Sequence, residues 1–203
     1  MIQRFFAISL PLLFAVMVGG QDTTIHAVDV IGMSAYRVER YDKFEIIVRI
    51  DADYDNPYNP DEIRLDAHFT SPSGETINVP GFYYRSFDFD LRENEPSPGW
   101  LEEWSWRVRF TPTVVGDWEF TVTVTTLSDT MTTEPQRFLV IPSNRRGFVR
   151  INPQNSRYLA FDDGTFYFPI GLNMAWYNDS RMLDYQEWLS ALDDAGGNYI
   201  RVW

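Results

Sequence analysis

No cysteine occurs among the 203 residues, so neither a disulfide nor a lipid anchor on a cysteine is available. Stability must come from burial, which a domain of about 100 residues or more supplies without covalent staples. Basic residues are scarce as well: 17 Lys and Arg stand against 29 Asp and Glu, a net charge of −12. No basic cluster interrupts that excess. A surface so acidic repels phosphate backbones, which argues against nucleic acid as a partner. Long apolar runs are missing everywhere except at the start. There, MIQRFFAISLPLLFAVMVGG carries one charge at Arg4, an apolar run over residues 5–18 interrupted by Pro11, and the small pair Gly19 and Gly20. The run is shorter than the roughly 20 residues a membrane span needs. The pattern predicts a secretory signal peptide, residues 1–20, cleaved after Gly20. Its removal takes away only Arg4, moving the net charge from −12 to −13. The mature chain is then expected to be secreted or periplasmic, with no membrane contact.

Aromatic residues, by contrast, are abundant at 16% of the chain, with seven Trp and eleven Tyr. Two uses compete: packing between sheets, and flat faces on which sugar rings stack. From Thr24 to Ile141 the hydrophobic period is two. The segments FEIIVRI (44–50), EIRLDAHF (62–69), WSWRVRF (104–110), DWEFTVTVTT (117–126) and QRFLVI (136–141) read as strands, separated by Pro, Gly, Asn and Asp. In WSWRVRF, Trp104, Trp106, Val108 and Phe110 share one face, and Ser105, Arg107 and Arg109 the other. In DWEFTVTV, Trp118, Phe120, Val122 and Val124 face one way, Glu119, Thr121 and Thr123 the other. Such alternation gives each sheet one wet and one buried face, the pattern of an all-β sandwich over residues 21–141. Gly116 in TPTVVGDW supplies the turn between two of the strands.

The stretch YDNPYNPDEIRLDAHFTSPSGETINVPGFYYRSF, followed by WRVRFTPTVVGDWEFTV, resembles a family of immunoglobulin-like domains of unknown function that precede bacterial glycoside hydrolase barrels. The resemblance implies a sandwich of about seven strands attached to a catalytic domain, and implies no ligand for the sandwich itself.

One loop carries a metal-like spacing. DADYDNPYNPDE places Asp51, Asp53 and Asp55 at positions one, three and five, Asn59 at nine and Glu62 at twelve, as in a helix-flanked calcium loop. The flanks here are strands, position six is Asn56 instead of glycine, and Pro57 and Pro60 intervene. The alternatives are a non-helical calcium site and an acidic turn-rich loop. No cofactor is expected. The triplet Asn178-Asp179-Ser180 is an N-glycosylation sequon, a pattern that arises often by chance.

After residue 141 the pattern changes. PSNRRG reads as a polar linker, and RYLAF (157–161) and TFYFPIG (165–171) flank Asp163-Gly164, a hairpin signal. DYQEWLSALDDAGG then shows a capping pair, Asp184 with Glu187, an apolar helical face of Tyr185, Trp188, Leu189 and Leu192, and Gly196 at the C-cap. The order FPIGLN, helix, NYIRVW is strand, helix, strand, which implies parallel pairing. Within the last strand Tyr199, Arg201 and Trp203 alternate with Ile200 and Val202. If the aliphatic pair meets the helix, Arg201 points into the interior of a sheet or barrel. There an unpaired guanidinium would cost several kcal/mol, so carboxylate partners are expected. None is identifiable in the sequence.

FPIGLNMAW, a helix and GGNYIRVW together resemble the first two βα elements of retaining glycoside hydrolases with a (β/α)8 barrel, the cellulase-like families. The resemblance implies that residues 142–203 are the opening βαβ portion of an incomplete TIM barrel. By that resemblance Arg201 takes the role of holding a nucleophilic carboxylate, and Asn173 and Trp176 line a sugar site. Retaining hydrolysis uses two carboxyls about 5 Å apart, drawn from later barrel strands. No catalytic residue is therefore expected here, and Asp179, Asp184, Glu187, Asp193 and Asp194 read as caps and solvated charge. Three functions follow: the front of a secreted glycoside hydrolase acting on polysaccharide or oligosaccharide, inactive by itself; a carbohydrate-binding sandwich using Trp100 and the tyrosines of GFYYRSF; or a spacer.

Overall fold

The computed structural model describes residues 23–88, 99–178 and 182–202. The expected signal peptide, Asp179 and Ser180 of the sequon, and Trp203 lie outside the described residues. In chain order the elements are β1 (Ile25–Met33), β2 (Arg37–Glu39), β3 (Phe44–Ala52), β4 (Ile63–Thr70), β5 (Thr76–Pro80), β6 (Phe82–Asp88), β7 (Gly99–Phe110), β8 (Gly116–Thr126), β9 (Thr130–Thr132) and β10 (Gln136–Ile141). They are followed by β11 (Val149–Ile151), β12 (Leu159–Phe161), β13 (Phe166–Tyr167), β14 (Gly171–Met174), α1 (Met182–Asp194) and β15 (Tyr199–Val202).

Ten strands build a β-sandwich. One sheet runs β1-β3-β7-β6, all antiparallel; the other runs β2-β10-β8-β4-β5, with β9 also paired to β8 and only β2 and β10 parallel. The alternation read from the sequence fixes which faces meet. Phe44, Ile46 and Val48 of β3 and Trp106, Val108 and Phe110 of β7 are buried against Ile63, Leu65, Ala67 and Phe69 of β4 and Trp118, Phe120, Val122 and Val124 of β8. The centre is aromatic: Phe44 stacks on Phe138 with centroids 4.0 Å apart, and Phe69 on Phe110 at 4.1 Å. Buried Trp118 donates its indole N–H to the Val114 carbonyl at 2.8 Å, so its own donor is satisfied. Seven or so strands were expected. Five of the ten were not among the segments read as strands: β1, β5, β6 and the short β2 and β9.

The alternation fails at one position. Trp104 lies on the inward face of β7, on the same side as buried Trp106, yet it is 45% exposed. On the wet face of the same strand, Arg107 and Arg109 converge on Glu45 of β3, with Arg107 Nη1 2.9 Å from Glu45 Oε1 and Arg107 lying 4.3 Å from the Tyr84 ring centroid.

The segment after β10 is no loose linker. Ser143 Oγ donates to the Arg40 carbonyl at 2.6 Å, Arg145 pairs with Asp42 at 3.2 Å, and the Tyr41 ring meets Phe148 edge-on with centroids 6.0 Å apart. Tyr41 has φ of +68°, a left-handed conformation rarely held by a side-chain-bearing residue. Opposite it, Gly147 has φ of +92°, and a Cβ there would lie 2.7 Å from Asp162 and 2.8 Å from the Tyr41 ring. Asp162 gathers the joint: its carboxylate accepts from the Phe148 N–H at 2.9 Å and from Arg150 Nε at 3.1 Å, with the Tyr41 ring close beside it. The Phe148 bond does most to hold the carboxyl below its ordinary value, and Arg150 and Tyr41 add to it against partial desolvation. The small antiparallel sheet β11-β12-β13 is thereby fastened to the β2–β3 turn of the sandwich.

Candidate functional site

Beyond that small sheet, β14 and β15 pair in parallel with α1 between them, as the strand–helix–strand order predicts. The register is Gly171 with Tyr199, Leu172 with Ile200, Asn173 with Arg201 and Met174 with Val202. Two of the three residues expected to line a sugar site, Asn173 and Arg201, are therefore lateral neighbours on one face of one sheet. Gly171 makes the close pairing possible: a Cβ added there would sit 1.6 Å from the Tyr199 carbonyl oxygen. The third residue, Trp176, follows β14 and is 84% exposed. Its neighbourhood is held by the Tyr185 hydroxyl of α1, which donates to the Ala175 carbonyl at 2.7 Å.

Arg201 is exposed, as is Asn173. The expected enclosure is not realised within the described residues, because β15 has a single strand neighbour, β14. On the other side Ile200 is half-buried but Val202 is exposed, so the alternation is only partly reflected in burial.

The residue that sequence reasoning overlooked is Asn198. Its side-chain amide accepts the Ile170 N–H at 2.9 Å and donates to the Phe168 carbonyl at 3.1 Å, while its own carbonyl accepts from the Tyr167 hydroxyl at 2.9 Å. One amide thus ties the start of β15 to the approach of β14 and sets the register that joins Asn173 to Arg201. The signal was present in the sequence as an Asn directly after Gly-Gly, but it named no partner.

The helix differs in detail. Asp184 lies inside α1, not at its N-cap: it is buried, and its carboxylate accepts the Asn178 N–H at 2.7 Å. The Asp184–Glu187 capping pair is therefore not what starts the helix. At the other end Gly197 N–H reaches the Leu192 carbonyl and Gly196 N–H the Asp193 carbonyl, both at 2.8 Å, with Gly196 at φ +76°. This is the two-bond glycine stop that was expected.

The acidic loop before β4 organises itself. Glu62 Oε2 accepts the Asp55 and Asn56 N–H groups at 3.2 and 2.9 Å, and Oε1 accepts Asn59 Nδ2 at 2.9 Å. The Asn59 bond does most to hold the Glu62 carboxyl below its ordinary value, and the Asn56 bond comes next. Asp53 turns instead toward His26, 3.5 Å away. Among the described residues, no group of three or more His, Asp or Glu side chains could hold a metal ion.

The tyrosines of GFYYRSF divide between the faces of β6. Tyr83 lies on the inward side, stacked on Trp104 at 5.2 Å, and Tyr84 lies on the wet face beside Arg107. Of Trp100 the structure gives the strand position, opposite Phe87, and its side chain lies outside the described part.

Comparison with known proteins agrees with this architecture. No curated protein matches the chain. A candidate glycoside hydrolase from Bacteroides vulgatus, known as a crystal structure, aligns with a TM-score of 0.56 and 25% identity, covering 82% of this chain. The chain spans only 28% of that protein's length. The Lin-41 filamin domain also matches, at 16% identity over 56% of this chain and 91% of its own, but the TM-score of 0.32 is too low to carry an argument. Residues 37–125, from β2 to the end of β8, match the family described as a domain of unknown function, DUF5060.

Proposed function

We propose that this chain is the N-terminal part of a secreted glycoside hydrolase acting on polysaccharide. In this reading the sandwich precedes the opening of a (β/α)8 barrel, and Asn173, Trp176 and Arg201 belong to its sugar site. The observation that carries the reading is the β14–α1–β15 unit, a parallel pair with its crossover helix and large apolar side chains left uncovered on both elements: Leu172, Val202 and Leu189 are all exposed. Parallel sheets are buried on both faces in stable folds, so such a unit is completed by further βα repeats. Likeness to a candidate glycoside hydrolase several times longer supports the same reading. Catalytic carboxylates would come from later strands, which makes these residues inactive alone.

The test is the natural full-length translation product, incubated with neutral polysaccharides and assayed for reducing ends beside residues 21–203 alone. Release by the full-length protein only, abolished by Arg201→Ala, is expected. A full-length protein that releases no sugar from any of them, or one whose activity ignores Arg201→Ala, overturns the assignment. A second reading, a carbohydrate-binding sandwich, is favoured by the exposed aromatic corner described next.

A further inference from the structure

We infer that the sandwich carries its own saccharide-binding platform, built by Tyr58 and Trp104 over Tyr83 and separate from the β14–β15 face. Aromatic rings in a sandwich are ordinarily packing, and Trp106, 5% exposed, is that. Trp104 and Tyr58 are different, at 45% and 63% exposure. Trp104 stands on the same face of β7 as buried Trp106, yet nearly half of it is exposed. A polar side chain there would avoid leaving apolar surface in water, so an indole calls for an occupant.

The rings form a fixed corner. Trp104 lies parallel to Tyr83 within 11°, and Tyr58 meets Tyr83 edge-on at 77° with centroids 5.8 Å apart. Behind them Tyr54 packs edge-on against Trp106, and the Arg85 guanidinium lies 5.2 Å from the Trp104 ring centroid. The corner is preorganised from below: Tyr58 sits on the loop closed by Glu62, Asn56 and Asn59, and its own N–H is accepted by Asn56 Oδ1 at 3.0 Å. Little conformational freedom is left to lose on binding.

The occupant that fits is a neutral pyranose chain. Such a ring has a C–H face that rests on an aromatic plane or edge and a rim of hydroxyls for polar neighbours. Exposed Asp55 on the same loop accepts from hydroxyls. A protein with net charge −12 disfavours an anionic polymer. The carbohydrate class rests on the proposed function; the platform itself rests on the rings.

The test is affinity gel electrophoresis of the intact chain through gels containing neutral β-glucan, xylan or galactan. Retardation by at least one is expected, and Tyr58→Ala and Trp104→Ala should each weaken it about tenfold, the scale of one lost aromatic contact. Tyr36→Ala, an exposed tyrosine at the edge of the other sheet, should leave it unchanged. Trp104→Phe, compared by circular dichroism, separates lost binding from lost folding and should bind with intermediate strength. Retardation that survives both alanine substitutions but disappears with Trp176→Ala overturns the platform while leaving the hydrolase reading intact. The absence of retardation in all three gels overturns it too, and reducing-end release by the full-length protein judges the hydrolase reading independently. Self-association removed by Trp104→Ala, without retardation, would assign the corner to a protein contact and also overturn it.

Discussion

Replacing Tyr41 by alanine should loosen the segment after β10 from the sandwich. Alanine keeps a Cβ, so the cost of the +68° backbone is the same in both proteins and cancels. What is lost is the edge-on contact with Phe148, worth about 1 kcal/mol, and the hydroxyl's polar interaction with the Asp162 carboxylate, worth up to about another 1 kcal/mol. Together these raise the population of the undocked joint by a factor of up to about 30. Arg145 and Arg146 lie in the segment: the first is held against Asp42, and the second offers its carbonyl to the Asp163 N–H at 3.1 Å. Trypsin reads the joint directly, because cleavage there tracks the open population when reclosing is fast. Cutting after Arg145 or Arg146, followed by mass spectrometry, should speed up by as much as about 30-fold in Tyr41→Ala and only about fivefold in Tyr41→Phe, which retains the ring. Equal cleavage rates in the parent protein and Tyr41→Ala would show that the ring contact carries no docking energy.

Three further expectations follow from the geometry. Gly171→Ala drives a Cβ against the Tyr199 carbonyl, so amide exchange at Leu172 and Ile200 should accelerate while that of β8 stays unchanged; unaltered exchange at β14 and β15 would contradict the register. Burial pushes the Glu45 carboxyl up, but the hydrogen bond and charge of Arg109, with Lys43 and Arg107, together hold it below its ordinary 4.5. A depressed carboxylate adds stability above its unfolded value and loses it as pH falls through the folded one. The stability gap between the parent protein and Glu45→Gln, measured by urea unfolding, should then be constant near neutrality and shrink below pH 4.5; a gap that does not change with pH would refute the pairing. Finally, the melting temperature should be the same in calcium and in chelator, since the Glu62 oxygens already serve the loop's own N–H groups; a calcium-dependent rise would overturn that account.

Much of the sandwich was legible because a period of two needs only the chain itself: the burial of Val108, Phe110, Trp118 and Phe120 repeats the alternation of their strands. The strand–helix–strand order after residue 165 and the glycine stop at Gly196 were equally local. The candidate sugar residues rest on resemblance alone, and the structure adds that Asn173 and Arg201 share a rung.

What the sequence could not supply depends on neighbours distant along the chain. Trp104 obeys its strand's alternation and is still 45% exposed, because burial depends on what the rest of the fold lays over it. PSNRRG looks like a linker by composition, yet Tyr41, about 100 residues earlier, docks it through Phe148 and Asp162. Asp184 has the spacing of a cap but turns to the Asn178 N–H. Local periodicity determined which side of each strand is apolar. Only the tertiary structure decided which apolar sides are covered, which polar groups find partners and which rings are left facing water, since those are properties of pairs of surfaces and not of either one.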